Sequence, residues 1–267
     1  MKLTHAVDYL NGLLGDRRSP EVAIILGSGL GGLADLIEDP LAVDYHDIPD
    51  FVRSTAGGHR GQMIFGSLGS VSVVAMAGRF HRYEGWSNDE TAYPVRVMQA
   101  LGATRMIVSN AAGGVNPKLK VGDIMIIRDH INLMGGTFAF NASGRSRLGQ
   151  SSRHPIYDES MMEAARVAAM RADFSVMFGC YLATLGPTYE TRAEYRMMRK
   201  IGGDVVGMST VPEVLAAGEL GMKVLGLSMV SNVADPDRPN VADHQEVLAA
   251  GQDAAVRMEA IVRGVLA

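Results

Sequence analysis

The stretch Val71-Ser72-Val73-Val74-Ala75-Met76-Ala77, followed at once by Gly78-Arg79-Phe80-His81-Arg82-Tyr83-Glu84-Gly85, decides how the rest of the chain is read. The first seven residues are apolar except for Ser72, as in a strand covered on both faces. The next eight crowd two arginines, a histidine, a tyrosine and a glutamate at the strand's exit, between glycines. In α/β sheets, ligands collect beyond the carboxyl ends of strands. Cations and hydrogen-bond donors at that place point to an anion held against something reactive.

Strand-like runs recur on both sides, at Val22–Leu26, Met63–Phe65, Arg105–Ser109, Asp123–Arg128, Val176–Thr184, Val205–Val206 and Lys223–Val230. Helix-like segments over Thr91–Leu101, Glu159–Ala172, Arg192–Ile201, Pro212–Leu220 and His244 to about Val265 lie between many of them. The alternation predicts an α/β fold with a mixed or mostly parallel sheet. Ser87 with Glu90, Thr191 with Glu194, Thr210 with Glu213 and Asp243 with Glu246 have the spacing of a capping box. Pro212 falls in a first turn, where its missing N–H costs little. No repeat or Pro/Ser-rich linker divides the chain, so a single domain over 1–267 is expected. Phe138–Pro155, with Arg145, Arg147 and Arg153, reads as an irregular loop, either solvated or part of an interface or lid.

Composition narrows the function. Hydrophobic residues make up 47% and charged residues 20%, enough for a sizeable core, and a net charge of -4 does not favour nucleic acid as a partner. The single cysteine, Cys180, excludes an internal disulfide framework and suits a reducing compartment. His5 and Asp8 interrupt the only early apolar run, so no signal peptide is expected. No apolar stretch reaches the ~20 residues of a membrane span. The expectation is a cytoplasmic protein. Cys/His metal spacing and H-E-x-x-H are absent, which argues against a metal, and there is no G-x-S-x-G elbow.

Further motifs sit at other strand ends. Gly27-Ser28-Gly29-Leu30-Gly31-Gly32 satisfies G-x-G-x-x-G, and Asp44 follows after a short apolar run that reads as a possible second strand. That is a dinucleotide fingerprint, but the same glycines and the Ser28 hydroxyl suit an anion, and a tight turn suits them too. Asn110-Ala111-Ala112-Gly113-Gly114 reads as a small-residue turn whose backbone, Ala111 N–H for example, faces either a ligand or close packing. Ser209 precedes the helix capped at Thr210, where unpaired N–H groups favour an anion; a capping role alone fits equally. Glu190 is not needed for the Thr191 cap, so it is either an exposed loop acid or a carboxylate that accepts from N–H groups of a planar heterocycle while Tyr189 packs on the ring. Asn232 ends another strand with an amide that donates and accepts. His59 sits among glycines and His244 opens the last helix.

Together these blocks, with Gly122–Met125, Arg128–Asn132, Gly186–Thr191, Gly207–Glu213 and His244–Gly251, resemble the trimeric family of purine nucleoside and methylthioadenosine phosphorylases. The resemblance runs from about Ala23 to Ala250. It implies one domain with a central mixed, partly barrel-like sheet flanked by helices, a homotrimer, and phosphorolysis. It puts Ser28, His59, Arg79, His81, Ala111 and Ser209 around phosphate. It puts Tyr83 and Met208 at the ribose, His244 at the 5′-hydroxyl, Tyr189 against the ring, and Glu190 and Asn232 on the purine. His81, Glu190 and Asn232 are the expected catalytic set, and phosphate is a co-substrate with no other cofactor.

Glu190 can accept N1–H of a 6-oxopurine, whereas adenine offers no proton there, so inosine and guanosine are expected over adenosine. The methylthioadenosine branch carries Ser and Asp where Glu190 and Asn232 stand, and that activity is the alternative. An aromatic supplied by a neighbouring subunit in many relatives aligns loosely with Leu148. Asp235 or Asp237 could modify base preference. A nicotinamide-dependent oxidoreductase and a non-catalytic nucleoside-binding protein are more remote readings.

Overall fold

The computed structural model describes residues 3–27, 31–52, 60–135, 155–233 and 244–267. Among these residues nine strands form one mixed sheet: β1 (Val22–Leu26), β2 (Glu38–Asp44), β3 (Gln62–Leu68), β4 (Val71–Ala77), β5 (Arg105–Gly114), β6 (Ile124–Asn132), β7 (Met177–Ala183), β8 (Val205–Gly207) and β9 (Lys223–Val233). Their order is β2-β3-β4-β1-β5-β8-β7-β6-β9, and β5 also pairs with β9. That extra pairing closes β5, β8, β7, β6 and β9 on themselves, which makes the barrel-like half of the sheet. The other half is open and ends at β2.

Among the described residues six α-helices cover the sheet: α1 (Leu3–Leu14), α2 (Asn88–Ala100), α3 (Glu159–Arg171), α4 (Arg192–Lys200), α5 (Val211–Glu219) and α6 (His244–Leu266). The period of two along β1 sorts its side chains between two cores. Ala23 and Ile25 pack with Leu10 of α1, Met98 of α2 and Val214 of α5. Val22, Ile24 and Leu26 pack with Ala165 of α3 and Met258 and Ile261 of α6. In α1 the buried residues are Ala6, Leu10 and Leu14, the four-residue repeat of a one-faced helix. The sequence reading did not predict α1. Ser87 with Glu90 and Thr191 with Glu194 form the expected capping boxes. Asp243 lies outside the described residues.

Two expectations are corrected. Asn110–Gly114 is not a turn: it continues β5, which runs beside β9 as far as Gly114 and takes β8 as a partner at Gly113 and Gly114. Small residues marked a crowded strand here, since a Cβ on Gly114 would come within 3.0 Å of Val230. The dinucleotide reading also fails. A Rossmann unit needs β1 to lead through a helix into a parallel second strand. Instead, residues 31–36 form a short 3-10 helix, and β2, which carries Asp44, pairs antiparallel with β3 and is separated from β1 by β3 and β4.

Candidate active site

The site lies where the open and closed halves of the sheet part. β1 accompanies β5 only from Arg105 to Val108, while β8 joins β5 at Gly113. Between them opens a cavity of about 230 Å³. Gly27, at the end of β1, is pressed against β5: a Cβ there would stand 2.5 Å from Ser109 O. Close backbone approach, which only glycine permits, therefore explains this member of the glycine motif.

The cationic wall is built on the exit of β4. Arg79 is 2% exposed. Its Nη1 donates to Ser209 Oγ at 2.8 Å and to Thr210 Oγ1 at 2.9 Å, and its Nη2 donates to Ser109 O at 2.5 Å. Nε lies 3.6 Å from the buried Glu213 Oε1. The guanidinium therefore meets the cavity with several donors already engaged. Thr210 does not cap α5 with its side chain, contrary to the sequence reading. Its hydroxyl is turned to Arg79 and to Asn110 Nδ2, 2.9 Å away, instead. His81 is held by Glu84, whose Oε1 is 2.9 Å from the His81 backbone N and 3.0 Å from Nδ1. Tyr83 stacks on the imidazole with ring centroids 4.7 Å apart. Partial burial and the Glu84 charge push the Tyr83 hydroxyl above its usual pKa.

The opposite wall carries groups suited to a planar heterocycle. Glu190 accepts from Thr184 Oγ1 at 2.9 Å. Tyr195 also lines the cavity, and burial followed by the Glu190 charge raises its hydroxyl pKa. Asn232, on β9, accepts at Oδ1 from Ser231 Oγ at 2.9 Å, which leaves Nδ2 as the donor. Met208 lies under the Glu190 loop, because a Cβ on Gly186 would collide with its Sδ. Tyr189, 76% exposed, stands at the mouth.

The cavity thus brings together Arg79, His81, Tyr83, Ala111, Tyr189, Glu190, Met208, Ser209 and Asn232, drawn from five separate stretches of sequence. Ser28, His59, Leu148, Asp235, Asp237 and the arginines at 145, 147 and 153 lie outside the described residues. For His244 only its place at the start of α6 is described. Sequence reading gave no site role to Thr184, Asn110 or Tyr195, and took Thr210 and Glu213 only as a capping pair. Glu84 was noticed there without a role, and Ser231 was given none. None of these belongs to a motif whose chemistry is visible without its partner across the cavity.

The chain matches the phosphorylase superfamily over residues 21–267 and belongs to that family. Its relatives there are purine nucleoside phosphorylases. Purine nucleoside phosphorylase 1 of Bacillus subtilis is 45% identical over 93% of this chain and 92% of its own length. The Rattus norvegicus purine nucleoside phosphorylase is 45% identical over 92% of this chain and 88% of its own length. The crystal structure of a Schistosoma mansoni purine nucleoside phosphorylase in complex with inosine superposes with a TM-score of 0.86, at 38% identity, over 99% of this chain and 95% of that one.

Proposed function

We propose that this chain is a purine nucleoside phosphorylase that cleaves 6-oxopurine ribonucleosides and deoxyribonucleosides, such as inosine and guanosine, with inorganic phosphate. The observation that carries this reading is one cavity lined by an anion wall, Arg79, His81 and Ser209, and a base wall, Glu190 and Asn232. Family membership supports the reaction class, a pentosyl transfer.

In the proposed reaction a phosphate oxygen bonds to C1′ of the sugar as the bond from C1′ to the purine nitrogen breaks. The electron pair leaves on the purine, which takes up a proton from solvent, balancing the one that hydrogenphosphate gives up on becoming the sugar phosphate. The products are the free base and ribose 1-phosphate. Positive charge grows on the sugar in such a transition state, and the bound phosphate lies close enough to stabilise it. Asn232 Nδ2 donates to purine N7, where electron density grows, and a donor placed there stabilises the transition state more than the substrate. Glu190 accepts N1–H. Ser28, His59, Arg79, His81, Ala111 and Ser209 surround phosphate, and Tyr83, Met208 and His244 hold the sugar.

Phosphate is a co-substrate, and neither a metal nor an organic cofactor enters the reaction. The enzyme acts as a single-domain protomer of a homotrimer in cytoplasmic purine salvage. Among the described residues no helix is long and apolar enough to cross a membrane. The decisive assay follows hypoxanthine release from inosine with and without phosphate. Release that requires phosphate and is matched by ribose 1-phosphate is expected; equal release in both would overturn phosphorolysis.

A further inference from the structure

We infer that Thr210 is a positioning residue that obliges Ser209 to act as a hydrogen-bond donor toward an anion in the cavity. The inference rests on the proposed placing of phosphate beside Arg79 and Ser209.

A hydroxyl has one proton to give and two lone pairs to fill. Thr210 Oγ1 accepts from Arg79 Nη1 and from Asn110 Nδ2, each at 2.9 Å, so both lone pairs are taken. Its proton is left for the two neighbouring hydroxyls, Tyr181 Oη, which already accepts the Ser209 backbone N–H, and Ser209 Oγ, 3.2 Å away, and we assign it to Ser209. Ser209 Oγ then accepts from Thr210 and, at 2.8 Å, from Arg79 Nη1. With its lone pairs filled, only its proton remains, and Ser209 lines the cavity. A hydroxyl that can only donate suits an anion, which can only accept, and cannot take a hydrogen bond from a donor group of a ligand.

The backbone is bent to bring this about. Thr210 has φ 71° and ψ -49°, and Val211 N–H donates to Ser209 O at 2.7 Å across it. That is a γ-turn with a left-handed central residue, a rare and strained form, and for a β-branched residue a true outlier. The turn forgoes the side-chain cap of α5 and buries Thr210 completely. It sets the two hydroxyls side by side beneath Arg79. Tyr181 supports the arrangement from below, accepting the Ser209 backbone N–H at 3.3 Å.

The test is a double-mutant cycle on the full chain, read by calorimetry with inorganic phosphate and by separate KM values for phosphate and inosine. Thr210→Val keeps shape and β-branching but loses the hydroxyl. It should weaken phosphate by roughly tenfold or more, as for a hydrogen bond to a charged group, with the inosine KM within about twofold. Thr210→Ser should recover most of that loss. Ser209→Ala should also weaken phosphate, and adding Thr210→Val to it should cost little more, because the two act as a unit.

Additive losses would mean that Thr210 donates elsewhere, and would overturn the inference. Unchanged phosphate affinity in Thr210→Val, or phosphate and inosine KM values rising by the same factor, would overturn it too. If Thr210→Val does not fold, Thr210→Ala, free of the β-branch at positive φ, should give the same selective loss. Phosphate binding without phosphate-dependent turnover would sink the proposed reaction and leave the relay standing, whereas absence of phosphate binding by the unaltered protein would sink the relay.

Discussion

Glu213 Oε1 lies 3.6 Å from Arg79 Nε, and both side chains are almost wholly shielded from solvent. Burial raises the Glu213 carboxyl above its usual value of 4.5, against the opposing pull of Arg79. A folded state that keeps this proton longer than the unfolded chain loses stability as pH rises from about the ordinary carboxylate value to the raised folded one. Glu213→Gln, which cannot titrate, should lack that decline. Glu213→Leu leaves a buried polar neighbour unmatched and should cost about 1–3 kcal/mol. Urea midpoints measured across pH check both, and parallel curves for Glu213→Gln and the unaltered protein would contradict the assignment.

Thr184 aims Glu190. Its hydroxyl, 2.9 Å from Oε1, fixes one carboxylate oxygen, and Tyr195 is a second hydrogen-bond partner of the same carboxylate. Thr184→Val removes the first of these bonds at nearly constant volume. We expect kcat/KM for inosine to fall roughly 5- to 10-fold, about the worth of one hydrogen bond to a charged group, while the phosphate KM holds. A matching rise in the phosphate KM would point to general loosening of the cavity instead.

Asn232 presents its amide N–H because Ser231 Oγ occupies Oδ1. An aspartate in its place accepts more readily than it donates. It would pair with the 6-amino group of adenine and repel the 6-oxo group. Asn232→Asp should therefore lower inosine cleavage and raise the adenosine-to-inosine ratio of kcat/KM. An unchanged ratio in a panel of the two nucleosides would remove Asn232 from base recognition.

The sequence was most legible where one physical cause dominates. β1 and β4 were bounded correctly because unbroken apolar runs leave little ambiguity, and α2 and α4 announce themselves through Ser87 and Thr191. β2 was read only as a possible strand, because its residues are mostly exposed and carry Pro40 near one end. Gly27 was legible as special, but its reason, the nearness of Ser109 O, belongs to a residue 82 positions away. Thr210 was misread for the same cause: the cap spacing to Glu213 is present, yet Arg79 and Asn110 compete for the hydroxyl and win it. Arg79, Glu190 and Asn232, each singled out at its own strand end, line one cavity. Residues whose role is to aim another side chain became visible only when the strands converged.

His130, on β6, supplies a pH test remote from the cavity. Its Nδ1 is 3.1 Å from Tyr157 Oη, and the two rings pack edge to face with centroids 5.8 Å apart. Burial holds the Tyr157 hydroxyl protonated to well above its usual pKa, so Tyr157 donates and a neutral His130 accepts. Burial also lowers the His130 pKa below 6.5, opposed by Asp129. The unfolded chain takes up this proton at about 6.5 and the folded chain resists it. The contribution to stability is thus fully present above about 6.5 and is lost as pH falls through the lowered folded value. His130→Gln can still accept from Tyr157 and has nothing to protonate. Its urea midpoint should fall less than that of the unaltered protein between about pH 6.5 and 5, before most carboxylates titrate. Equal losses over that window would show that His130 is solvated enough to titrate normally.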